Sequence, residues 1–275
     1  MIPVHDRADL LRAALASVAA QTLTPAQVIV IDDGSTDGSA AVARAAGATV
    51  ISQPASGVSA ARNRGLREAT VPSVAFLDSD DEWEPGHLAA LAAAAPGHAL
   101  VSTAALTSDG ALIGSQAREP LTLRGPDRLV WPDNPVVTSA VLVDRALALD
   151  VGGFDEALRH SEDLDLWARL LERGPGVVLP EVTVRYRTHP GQVSLDVEAM
   201  RSGAALLLRR VAPATARAVT IRDRWDRLRA AGARSPRALL WFAAPARAVV
   251  LARLLAHRAR GRRIAAEAAG ALRSP

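Results

Sequence analysis

The chain has 275 residues, no cysteine and a formal net charge of +3. That length accommodates one large domain, or a domain of about 200 residues with an accessory segment; the lack of cysteine excludes disulfides, thiolate zinc sites and a cysteine nucleophile. All 32 basic residues are arginine and they are unevenly spread: residues 1–200 carry 15 arginines against 26 acids, residues 201–275 carry 17 against 3.

A split this steep points to a basic tail that meets an anionic partner, whether phospholipid, nucleic acid or the acidic body itself. The opening Met1-Ile2-Pro3-Val4-His5-Asp6-Arg7 reaches charged residues before an apolar run long enough for a signal peptide could form. The body is therefore expected in the cytoplasm.

In chain order, Asp9 to Gln21 sets Leu10, Leu11, Ala14, Leu15 and Val18 on one helical face, and Val28 to Ile31 is an unbroken β-branched run. Ser35, Thr36 or Asp37 can cap a helix to about Ala46. Ala48 to Ile51 reads as a strand, Ser59 to Ala69 as a helix and Val74 to Leu77 as a strand. This alternation predicts an α/β fold, a mostly parallel central sheet with helices on both faces. Ligands of such sheets bind beyond the carboxyl ends of the strands, where Asp32-Asp33 and Asp78-Ser79-Asp80-Asp81 fall. After about residue 96 the alternation loosens into short strands and loops, with Ser139 to Val143 strand-like and Glu162 to Glu172 helical. From about 200 the chain reads as an α-helical extension broken by Pro213, Pro236 and Pro245. The run from Ala238 to Ala256 is interrupted by Pro245, Arg247 and Arg253 and makes a poor membrane span, although it could lie on a membrane surface.

Four carboxylates lie within five residues at Asp78-Ser79-Asp80-Asp81-Glu82, after the apolar run Val74-Ala75-Phe76-Leu77. They repel one another unless a cation sits among them, and hard oxygen donors suit Mg²⁺ or Mn²⁺ bridged to substrate phosphates. An acidic turn after a strand is the plainer reading of that segment alone. A second strand, Val28-Ile29-Val30-Ile31, also ends in acids at Asp32-Asp33, with Gly34 permitting a tight turn. A carboxylate there could accept hydrogen bonds from a nucleobase or a ribose, or simply cap a helix.

These segments, in this order, resemble the glycosyltransferase family 2 proteins. The resemblance runs from Pro3 to about Ser194 through Ile2-Pro3-Val4-His5, Ile31-Asp32-Asp33-Gly34-Ser35-Thr36-Asp37 and Gly57-Val58-Ser59-Ala60-Ala61-Arg62-Asn63. It continues through Phe76-Leu77-Asp78-Ser79-Asp80-Asp81, similar to the family's DxD element. Gly152-Gly153-Phe154-Asp155-Glu156 and Ser161-Glu162-Asp163-Leu164-Asp165-Leu166-Trp167 are similar to its acceptor-side signature. The resemblance implies a GT-A-type, Rossmann-like sandwich over residues 1–200, with 1–96 as the nucleotide-sugar half, 97–200 as the acceptor half and 201–275 as a basic helical extension. It departs from the family at the start, where only Met1 and Ile2 precede Pro3, so a clipped first strand is expected.

Roles carried over by the resemblance are these. Pro3, His5 and Asp33 line the base pocket, Arg62 faces the base or diphosphate, Asp78 reaches ribose or metal, and Asp80 is the main metal ligand. His189, in Tyr186-Arg187-Thr188-His189, is similar to a histidine that completes the metal site in some members. One of Glu162 and Asp163 is the general base, Asp163 for preference. Gly152-Gly153 shapes a loop beneath the donor sugar, and Trp167 reads as core.

The implied activity is an inverting, Mg²⁺- or Mn²⁺-dependent transfer from a nucleotide-diphosphate sugar, with UDP-sugar first choice, to a saccharide or lipid-linked acceptor of the cell envelope. A non-catalytic binding protein of the same fold is the alternative. A sugar nucleotidyltransferase is disfavoured because the chain has no lysine. The tail lacks interleaved aromatics, so no nucleic-acid partner is expected, and an anionic membrane surface at the inner face of the cell membrane is the partner preferred for 201–275.

Overall fold

The computed structural model describes residues 1–114, 118–129 and 135–188. The expected helical extension and His189 lie outside them. Elements appear in the predicted order: β1 (Ile2–Val4), α1 (Ala8–Ala19), β2 (Ile29–Asp32), α2 (Ser39–Ala45), β3 (Thr49–Ser52), α3 (Val58–Glu68) and β4 (Ser73–Ala75). Then come β5 (Glu82–Trp83), α4 (His87–Ala94), β6 (Leu100–Thr107), β7 (Leu112–Ile113), β8 (Leu121–Leu123), β9 (Val141–Asp144), α5 (Arg145–Asp150), α6 (Glu162–Arg173) and β10 (Gly176–Tyr186). The first strand is short, as its clipped sequence predicts.

Strands β1, β2 and β3 form a parallel sheet with β2 in the middle. The second sheet runs β4-β9-β6-β10-β5 and is mixed, with β6 and β10 parallel and β9 antiparallel to both its neighbours. Parallel pairing is thus confined to β1–β3 and the β6/β10 pair. Two hydrogen bonds join the sheets: the Met1 nitrogen donates to the Ala75 carbonyl at 2.8 Å and the Leu77 N–H to the Met1 carbonyl at 3.0 Å. They bring β1 beside β4, so the two acidic strand ends, after β2 and after β4, emerge close together.

Strand β2 is buried on both faces, which explains its unbroken β-branched run. Ile29 and Ile31 pack with Phe76, Phe154 and Trp167 on one side, while Val30 packs with Leu11, Leu15 and Leu77 on the other. Trp167 is fully buried, with its ring centroid 5.9 Å from Phe154 and 6.1 Å from Phe76. It is core, as expected. The loops after β1 and β2 cap one another. Asp6, at φ 48°, accepts the Thr36 and Asp37 N–H groups, and Asp37 accepts those of Ala8 and Ser39, at the starts of α1 and α2.

The Gly152-Gly153-Phe154 loop is pinned from two helices. Asn63 on α3 accepts the Phe154 N–H at 2.7 Å and donates to the Phe154 carbonyl at 2.9 Å, and Arg169 on α6 donates to the carbonyls of Val151 and Gly153. Both glycines have positive φ, and a Cβ on Gly153 would stand 2.4 Å from the Asn63 Oδ1. Gly153→Ala should therefore lower stability by roughly 1 to 3 kcal/mol in a denaturant titration.

A buried polar group sits on the far side of the mixed sheet. His87 is inaccessible to solvent, its Nδ1 lies 2.7 Å from the Thr183 hydroxyl, and its ring stacks on Trp83 at 4.6 Å. Burial pushes its pKa down to about 3. The folded chain keeps this ring neutral where the unfolded chain would protonate it below pH about 6.5, so its contribution favours unfolding increasingly as pH falls from about 6.5 towards 3. Stability should drop over that window by roughly 3 to 5 kcal/mol on this group's account. In His87→Gln the slope of stability against pH should fall by about one proton; an unchanged slope would assign the acid sensitivity elsewhere.

Candidate functional site

Pro3, His5, Asp33, Arg62, Asp78, Asp80, Glu162 and Asp163 all line one cavity of about 360 Å³ at the carboxyl ends of β1, β2 and β4. His189, the remaining expected ligand, lies outside the described residues. Sequence positions separated by up to 160 residues are brought together because β1 lies between β2 and β4, and α6 begins where its first turn reaches the same opening.

Arg62 is the hub of the cavity. Its side chain is only 5% exposed; one terminal nitrogen donates to Asp78 Oδ1 at 2.7 Å and the other to Glu162 Oε1 at 2.9 Å. The guanidinium carbon lies 5.3 Å from the Phe154 ring centroid, and Nε has no hydrogen-bond partner among the described residues. Burial alone would depress its pKa, but Asp78, Glu162 and Asp163 outweigh burial and raise it. The arginine that the resemblance turns towards a base or diphosphate is thus already held by two carboxylates, one from each side of the cavity. The two glycines at 152 and 153 do not line the cavity; they act by placing Phe154 against Arg62.

The aspartates after β4 are dealt different partners. Asp78 pairs with Arg62, and Asp80, only 8% exposed, pairs with the Arg7 guanidinium. Asp81 accepts the Ser139 hydroxyl at 2.5 Å and the Arg187 N–H at 2.9 Å. Burial and the charges of Asp78 and Asp80 push Asp81 up to about 8 against those two hydrogen bonds. Asp78 and Asp80 are each matched by an arginine.

Asp33 accepts three hydrogen bonds from the loop before α3: Gln53 Nε2 at 2.8 Å, Ser56 N–H at 2.9 Å and Gly57 N–H at 2.8 Å. His5 Nδ1 lies 2.7 Å from the Asp33 carbonyl oxygen. On the opposite wall, Ser161 takes a left-handed conformation (φ 61°, ψ 23°) while buried, and this turn aims the start of α6 inwards. Glu162 is claimed by Arg62; burial and Asp163 push its pKa up while Arg62 pulls it down, leaving it raised. Asp163 instead accepts the Thr138 hydroxyl at 3.0 Å.

Several wall residues carried no signal when the sequence was read. Arg7 follows the first strand by three positions, and nothing in its local sequence points to a cavity. Thr138 and Ser139, adjacent in a short 3₁₀ turn, orient Asp163 and Asp81 respectively. Their segment had been expected to be strand-like, and the strand begins only at Val141. Arg159, His160 and Tyr186 also line the cavity, and His160 Nδ1 is buried with no hydrogen-bond partner among the described residues. Adjacency to Ser161-Glu162-Asp163 was the one available pointer to the first two.

Among the described residues no group of three or more His, Cys, Asp or Glu side chains could by itself hold a metal ion. The donors nonetheless fit one shared with a ligand: Asp80 and Asp78 offer carboxylates on the cavity wall, and Mg²⁺ or Mn²⁺ commonly takes one or two carboxylates, completing its shell with phosphate and water. No helix among the described residues is long and apolar enough to cross a membrane.

Residues 1–115 match the family model described as glycosyl transferase family 2. A pre-mycofactocin glycosyltransferase of Mycobacterium tuberculosis is 36% identical over 191 residues, covering 63% of this chain and 39% of that protein. The succinoglycan biosynthesis protein ExoU of Rhizobium meliloti is 32% identical over 199 residues, covering 63% of this chain and 56% of that protein. The chain thus spans well under two thirds of the length of either relative. Among solved structures, a mannosyltransferase of Pyrobaculum calidifontis in complex with GDP-Man and Mn²⁺ aligns over 98% of this chain and 84% of its own, at TM-score 0.64 and 19% identity. S. aureus TarS 1-349 in complex with UDP-GlcNAc aligns over 79% and 68%, at TM-score 0.63 and 20% identity. The fold is therefore that of the GT-A glycosyltransferases, and residues 1–115 are similar to glycosyl transferase family 2.

Proposed function

We propose that this chain transfers a glycosyl group from a nucleoside-diphosphate sugar, with UDP-sugar as first choice, to an acceptor hydroxyl in one inverting displacement. The observation that carries this reading is the placement of Asp163: a carboxylate held by a neutral hydroxyl, on the same cavity wall as Glu162 and opposite Asp78 and Asp80. Glu162 Oε1 is already engaged by the Arg62 guanidinium, whereas Asp163 accepts a neutral hydroxyl, so Asp163 rather than Glu162 is assigned as the base. Support comes from the GDP-Man and UDP-GlcNAc complexes of the two structural neighbours and from the polysaccharide role in ExoU's name.

In this reading the base and ribose lie towards Pro3, His5 and Asp33, and the diphosphate towards Asp78 and Asp80. Asp163 removes the acceptor proton as the acceptor oxygen attacks the anomeric carbon opposite the diphosphate. The bond from that carbon to the phosphate oxygen breaks as the new one forms, and configuration inverts. A divalent ion on Asp80 and Asp78, with His189 as a further candidate, would supply positive charge to the departing nucleoside diphosphate. Residues 1–96 serve the donor and 97–200 the acceptor, a saccharide or lipid-linked hydroxyl of the cell envelope. Residues 201–275 supply the basic face towards an anionic membrane at its cytoplasmic side.

Nucleoside-diphosphate release with saturating donor and acceptor tests the assignment. Asp163→Asn should lower kcat by about 10² to 10⁴ while the donor Kd changes little. Thr138→Val, which removes only the orienting hydroxyl, should cost roughly tenfold in kcat. Wild-type turnover in Asp163→Asn would overturn the choice of base, and no release from any nucleotide sugar would overturn the activity.

A further inference from the structure

Arg7 stands outside every role assigned so far. Its backbone is fixed at the start of α1, where its N–H donates to the Ser39 hydroxyl at 3.1 Å and its carbonyl accepts the Leu11 N–H at 2.9 Å. Its side chain leaves that anchor, crosses the cavity wall and ends on Asp80 Oδ2. The Arg7 side chain is 30% exposed while that of its partner is 8% exposed. Asp80 is therefore bound by a cation that reaches in from a solvated position, unlike Asp78, whose partner Arg62 is immured among Glu162 and Phe154.

Resting on the reading of Asp80 as the main metal ligand, we infer that Arg7 couples metal binding to nucleotide binding. A divalent ion on Asp80 would share its carboxylate with a guanidinium, and the two like charges repel. The repulsion is relieved when a diphosphate brings its negative charge between them, because guanidinium pairs with phosphate in forked hydrogen bonds. Arg7 accordingly weakens metal binding when no nucleotide is present, and strengthens nucleotide binding without metal and more so with it. By linkage the metal and the nucleotide each raise the other's affinity by the same factor, and Arg7 enlarges that factor. Arg62 cannot do this, since both its terminal nitrogens are committed to carboxylates on opposite walls.

The test titrates Mn²⁺ into the full-length protein and reads free Mn²⁺ by electron paramagnetic resonance, with and without saturating UDP or GDP, and measures UDP affinity by calorimetry in EDTA. Arg7→Gln should bind Mn²⁺ about five- to tenfold more tightly than wild type without nucleotide but no more tightly with saturating UDP, so the coupling factor shrinks by about that factor, and it should bind UDP about tenfold more weakly in EDTA. Arg7→Lys, which keeps the charge, should lie near wild type in the Mn²⁺ titration. Melting temperature checks folding, and the backbone contacts of Arg7 do not depend on its side chain. If Arg7→Gln leaves both affinities within about twofold of wild type while Asp80→Asn loses Mn²⁺, the coupling role is overturned and the metal reading stands. If Asp80→Asn binds Mn²⁺ like wild type, the metal reading fails and the coupling role fails with it.

Discussion

The buried guanidinium of Arg62 is the constraint on which the site depends. A charge this deep costs several kcal/mol of lost hydration unless it is paired and hydrogen-bonded. Here Asp78 and Glu162 supply the pairing, and Phe154 covers one side. The two carboxylates come from the loop after β4 and the first turn of α6, so one side chain fastens one wall of the cavity to the other. The supports of Arg62 extend further: Asn63 and Arg169 fix the loop that carries Phe154, and Gly153 leaves room for the Asn63 amide. Breaking any of these would move the same hub. The glycines and the asparagine thus shape the cavity without lining it.

The same arrangement divides labour among the carboxylates. Asp78 is structural and electrostatic at once, tied to Arg62. Asp80 faces a partially solvated arginine and is the carboxylate most open to exchange of its cation. Asp81 is withdrawn, its pKa pushed up by burial, and bonded to Ser139 and the Arg187 N–H. On the other wall, Glu162 is spent on Arg62, which leaves Asp163 with the Thr138 hydroxyl. A run of acids that looks uniform as a string thus becomes a set of distinct groups, because each meets a different partner in three dimensions.

Much of residues 1–96 is legible in the string because its signals are local. A β-branched run buried on both faces, a capped helix and an acidic strand end recur at short spacing, and β2, α3 and Asp32-Asp33 fall where periodicity puts them. The strand in Ser139 to Val143 is legible and is β9, but its antiparallel pairing and the 3₁₀ turn before it are not, since the turn carries no glycine or proline and its apolar neighbours mimic a strand. Arg7, Thr138 and Ser139 escaped for a different reason. Their roles arise only when β1 comes beside β4 and the 138–140 turn meets both the aspartate loop and α6. Arg62 was singled out, but its burial against Glu162, a hundred positions away, has no local signature.

The central claim is that the cavity organised by Arg62 holds a nucleoside-diphosphate sugar. Thermal melting of the full-length protein with a panel of nucleotide sugars, each with and without Mn²⁺, tests it most directly. One nucleotide series should raise the melting temperature by several degrees at about a hundred times its dissociation constant, with a larger shift when Mn²⁺ is present. An unchanged melting temperature with every nucleotide sugar would contradict the account.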